Sequence, residues 1–103
     1  MLSKDEALAA AKSFLDGTYA NDPKGWVMVV VAERSYRYRD GWIAYFNTQE
    51  GIDSGNHWVG PISKILIVPD EGSPYFSPTH ATSEQFREFC ETGIWPVALR
   101  MPR

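Results

Sequence analysis

The sequence predicts one α+β domain over residues 1–103: a single antiparallel sheet of three to five strands, with an N-terminal helix and a C-terminal helix packed on one face. Three observations carry this. Apolar residues recur at helical spacing near the two ends, Ala7 to Leu15 and Phe86 to Cys90, each behind a capping signal. Between them lie short Val-, Ile- and aromatic-rich stretches, the clearest being Asp40 to Asn47, where a turn pair runs into a strongly aromatic strand. A chain of 103 residues, finally, has material for one core only.

Taken in order, Ser3 and Glu6 form a capping box, so a helix starts there and presents Ala7, Leu8, Ala11, Phe14 and Leu15 on one face until Gly17 supplies a left-handed stop. After a polar connector, Trp26 to Ala32 is almost wholly apolar and reads as a strand buried on both sides. Glu33 to Arg39 continues it into a hairpin. Asp40 and Gly41 favour positive φ and a tight reversal, which makes Trp42 to Thr48 the antiparallel partner. Gly51 to Gly60 is a surface loop whose Trp58 is either a lid on the core or an exposed anchor. Ile62 to Val68 forms a third strand stopped at Pro69, and residues 70–73 turn into an edge piece at Tyr75 to Ser77 between two prolines. Thr82 with Gln85, or Ser83 itself, caps a second helix whose Phe86, Phe89 and Cys90 share a face and which ends at Gly93. The tail from Ile94, with Trp95, packs as extended chain.

Composition narrows the function by exclusion. Thirteen acids against ten bases leave a formal charge of −3, which argues against the cationic face a nucleic-acid binder needs, despite the basic and aromatic run Arg34 to Arg39. The acids cluster: Glu50, Asp53, Asp70, Glu71, Glu84, Glu88 and Glu91 meet only Lys64 and Arg87 in that half, giving either an acidic face for a basic partner or a solvated surface. One cysteine marks no oxidising compartment, and no segment reads as a leader or membrane span, so cytoplasmic residence is the expectation.

No catalytic set is expected. His57 and His80 are not spaced with Cys90 as metal ligands are, so no metal is predicted; the glycines match no phosphate loop, so no cofactor is. Cys90 among Phe86 and Phe89 reads as packing, with a thiol held inert by burial. The carboxylate pairs Asp70 with Glu71 and Glu84 with Glu88 read as solvated.

The stretch from Glu33 through Gly41, Trp42, Ile43, Ala44, Tyr45, Phe46 and Asn47 resembles the hallmark strand of the immunity protein 35 family, related to YrhB-like domains. Ser3 to Leu15 is similar to the family's first helix, Gly60, Pro61 and Ile62 to its glycine, proline and apolar step, and Leu66 to Gly72 to its apolar strand ending in an acidic turn. The helix at Ser83 to Glu91 falls in the corresponding place. The chain departs from the pattern where Ser63, Lys64 and Ile65 stand as an insertion and where Pro69 replaces an Asp. The resemblance implies a cytoplasmic protein that neutralises a cognate bacterial toxin without catalysis, and the YrhB-like side permits a chaperone-like binder as the alternative; the free chain is expected to be a monomer or weak dimer. With that topology, Glu33, Tyr36, Tyr38, Asp40, Glu50, Asp53, Trp58, Asp70 and Glu71 are the expected partner-binding residues, with neither nucleic acid nor membrane as partner.

Overall fold

The computed structural model describes residues 1–21, 25–55, 64–78 and 81–96. Its elements are α1 (Lys4–Thr18), β1 (Met28–Val30), a 3-10 turn (Ala32–Arg34), β2 (Tyr36–Tyr38), β3 (Gly41–Thr48), α2 (Gln49–Ser54), β4 (Ile65–Pro69), β5 (Tyr75–Phe76) and α3 (Ser83–Thr92). The five strands form one antiparallel sheet, so the predicted α+β class holds. β3 is its centre. β4 and then β5 lie along one edge of β3; β1 and β2 follow one another along the other.

Both long helices start as their sequences dictate. The Ser3 hydroxyl accepts from the Glu6 N–H at 3.1 Å while the Glu6 carboxylate accepts from the Ser3 N–H at 2.9 Å, and Thr82 and Gln85 repeat the exchange at the head of α3. The ends differ. Gly93 caps α3 in the left-handed region, at φ 76°, but Gly17 is an ordinary helical residue and α1 runs on to a Tyr19 cap at φ −104°. Tyr19 gains by staying close, since its ring meets Trp26 and Phe76 edge-on.

The two helices do not share a face, contrary to the expectation from element order. Successive residues of a strand point to opposite sides of the sheet. Ala44 and Phe46 of β3 and Leu66 and Val68 of β4 meet Ala7, Ala11 and Leu15 of α1, all essentially buried. Ile43, Ile67 and Tyr38 point the other way and meet Phe89 of α3, with Trp95 stacked flat on Phe89 at 4.0 Å. β3 is apolar on both faces, so each face needs a cover, and one helix serves each.

The strand before β3 is not continuous. Residues 31–35 stand opposite only Ala44 and Tyr45, and the surplus is wound into the 3-10 turn. Buried Ser35 closes the gap: its hydroxyl donates to the Val31 carbonyl at 2.9 Å and accepts from the Tyr45 N–H at 3.1 Å. β1 is correspondingly short, and Val27, expected inside, is 64% exposed. The β2–β3 reversal uses Arg39 and Asp40, neither at positive φ. Gly41 is needed for a different reason than the expected one: a Cβ there would collide with the Val68 carbonyl and Pro69 Cα. The expected loop after β3 begins instead with α2, and β4 occupies Ile65–Pro69 rather than 62–68, of which 62 and 63 lie outside the described residues.

Candidate functional site

The nine expected contact residues separate into three groups. Trp58, like His57 and His80, lies outside the described residues. Tyr38 and Asp70 are occupied by the fold itself. Glu33, Tyr36, Asp40, Glu50, Asp53 and Glu71 are exposed.

Tyr38 is 7% exposed, its ring 4.9 Å from that of Phe89; burial raises its phenol pKa. A residue that holds α3 to the sheet has no surface left for a partner. Asp70 is the second correction, because its partly buried carboxylate is held by the fold rather than free in solvent. Both oxygens receive Arg37 guanidinium N–H donors at 2.7 Å, and one also accepts from the Leu2 N–H at 3.0 Å. The Trp42 indole donates to the Leu2 carbonyl at 2.9 Å. The start of the chain is thus fastened to β2, β3 and the end of β4 by one polar cluster. These bonds, the Arg37 pair foremost, hold the Asp70 carboxyl down to about 2, well below its ordinary 3.8. Asp70→Lys would therefore set a cation against Arg37 and test the fold, not an interface.

Glu33 sits in the 3-10 turn rather than in a strand, and of the neighbouring arginines Arg37 pairs with Asp70 and Arg34 lies over the Tyr45 ring at 4.2 Å. Asp40, in the β2–β3 turn, lies close against Gly93 at the end of α3, with the Arg39 guanidinium 3.7 Å from its carboxylate.

Glu50 and Asp53 gain most from the structure, since α2 turns a presumed loop into a fixed helix. Thr48 caps it by accepting from the Gly51 N–H at 2.9 Å, Gly55 ends it at φ 69°, and the Gln49 amide donates to Asp53 at 2.8 Å. Gly51 lies flat on the Asn47 side chain, which a Cβ would strike. On the same helix Ile52 stands 41% exposed, and it shares with Val31, Arg34, Tyr45 and Asn47 a small groove of about 260 Å³. Sequence reasoning missed Ile52 and Val27. The available signal was Thr48, a capping residue, followed by the helical pair Gln49 and Asp53 and then Gly55.

A larger open groove, about 550 Å³, runs on the α3 side of the sheet between Tyr36, Tyr45, Ile65, Pro78 and Phe86, with Lys64 on its wall. Burial lowers the Lys64 pKa. Near it the Tyr36 phenol and the part-buried Cys90 thiol lie close together; burial raises both pKa values, so the thiol is not primed as a nucleophile. Among the described residues no His, Cys, Asp and Glu cluster is placed to hold a metal, and no helix is long and apolar enough to cross a membrane.

No family model, curated protein or solved structure matches the chain.

Proposed function

We propose that the chain is a cytoplasmic immunity-type protein that binds one cognate bacterial toxin and neutralises it by covering its active site or a surface it needs. The carrying observation is α2, where an exposed aliphatic side chain, Ile52, and two exposed carboxylates, Glu50 and Asp53, stand on one short helix pinned to the central strand through Thr48. An exposed apolar side chain beside charged ones, held by a rigid scaffold, is a combination that specific protein interfaces use. The resemblance to the immunity protein 35 family supports the same reading. Its segment from Gly41 to Asn47 is β3, a core strand, so what it contributes is the scaffold, and the contacts come from the elements that flank it.

A second reading, a chaperone-like binder, draws on the exposed large side chains Val27, Tyr36, Ile52, Tyr75 and Ile94. Affinity capture from the native host separates the two. One stoichiometric partner, retained through washing, is the expected result; general suppression of aggregation of unrelated unfolded proteins, with no single partner retained, would sink the immunity reading.

A further inference from the structure

We infer that the outer edge of β1 is a strand-addition site for an extended segment of the partner, apolar at its centre and carrying Lys or Arg at its ends. This rests on the reading of the chain as a protein-binding domain and specifies how it binds.

The Val27 carbonyl accepts from the Gln49 N–H at 2.8 Å and the Val31 N–H donates to the Tyr45 carbonyl at 2.8 Å, so the odd-numbered residues here make the ladder to β3. By antiparallel alternation the N–H and C=O groups of Met28 and Val30 point away from β3, and among the described residues no strand pairs with that side. Exposed edges are usually guarded by charge or proline. Residues 25–32 contain neither.

The side chains complete the site. Those of Met28 and Val30 pack in the α1 core and anchor the edge, leaving only its backbone to pair. On the opposite face, exposed Val27 and the Val31–Ile52 groove offer apolar cover for alternate side chains of an added strand. Among the described residues the exposed charge near the two ends is mainly acidic, Arg34 being the exception. Glu33 is exposed just past Val31, and Glu50 and Asp53 are exposed on the helix joined to Val27 through Gln49. The nearest arginine, Arg34, is drawn over Tyr45. A strand with basic ends is therefore favoured over an acidic one and over a second copy, which would bring its own carboxylates to the same place.

The probe is a short fluorescent peptide of alternating Val and Thr with Lys at both ends, compared with its Glu-ended counterpart on the full chain. The Lys-ended peptide should bind about tenfold more tightly, lose that advantage as salt rises, and shift the amide resonances of residues 27–31. Val30→Pro removes an outward N–H and no bond to β3, so it should abolish binding at unchanged circular dichroism. Glu50→Lys with Asp53→Lys leaves the sheet alone and should reverse the peptide preference. Equal affinity for the two peptides, shifts confined to other residues, or a dimer of the free chain that protects these same amides overturns the inference. A captured partner that binds Val30→Pro as tightly as the unaltered chain also overturns it while leaving the toxin-binding reading intact; that reading fails by itself if no single partner is captured.

Discussion

Asp70 shows how far a single side chain's meaning depends on what lies across the sheet. In sequence it opens an acidic turn beside Glu71 and reads as surface; in the fold it closes a cluster with Arg37, Leu2 and Trp42. Because its folded pKa, about 2, lies below its ordinary 3.8, the folded state binds this proton less readily than the unfolded chain does. The stabilisation is therefore complete above pH 3.8 and is lost as pH falls toward 2. Thermal melts across that window should show a steeper fall for the unaltered chain than for Asp70→Asn; parallel curves would contradict the assignment. Two glycines make a second test at this scale. Gly41→Ala forces a methyl into the β4 backbone and should cost about 1–3 kcal/mol in denaturant melts. Gly17→Ala meets nothing within 4 Å inside a helix and should stabilise by about 0.5–1 kcal/mol.

Among the elements, α1 and α3 were legible because their boundaries are written locally: a capping box is four adjacent residues, and an apolar stripe follows. α2 was not, because Gly51 and Gly55 read as loop chemistry, and the Asn47 surface that requires the first of them is a tertiary fact. The 3-10 turn was hidden for a similar reason, its surplus residues having meaning only against β3, with Ser35 placed to repair the ladder. Placement of α3 was inferable and was missed. Ile43 and Ile67 are apolar on the side opposite Ala44 and Leu66, so two covered faces were implied. If α3 is that cover, Phe89→Ala should cost about 3–5 kcal/mol and Thr82→Ala about 1 kcal/mol in denaturant melts. A Phe89 variant as stable as the unaltered chain would mean that the second face stands without the helix.

At the scale of the whole molecule, the two cores and the Asp70 cluster commit the central strand, both long helices and two of the expected contact residues to holding the fold. Among the described residues the periphery is left for a partner, above all α2, the β1 edge, the 3-10 turn and the Tyr36 side of the larger groove. The acidic excess of the second half was visible in composition, but which carboxylates stand out was not, since Asp70 is consumed internally while Glu50 and Asp53 are displayed on α2. Reversing the two displayed charges together, Glu50→Lys with Asp53→Lys, should weaken partner binding by about tenfold or more in calorimetric titration while the chain stays folded, its stability lowered only by about 1–2 kcal/mol through the lost Gln49–Asp53 bond and the cation at the helix start. The most direct test of the central proposal is growth of cells producing the captured partner with and without this chain. Restored growth with the unaltered chain, lost with the charge-reversed one at equal folded levels, is the predicted result; growth that stays arrested although the two proteins form a stable complex would contradict it.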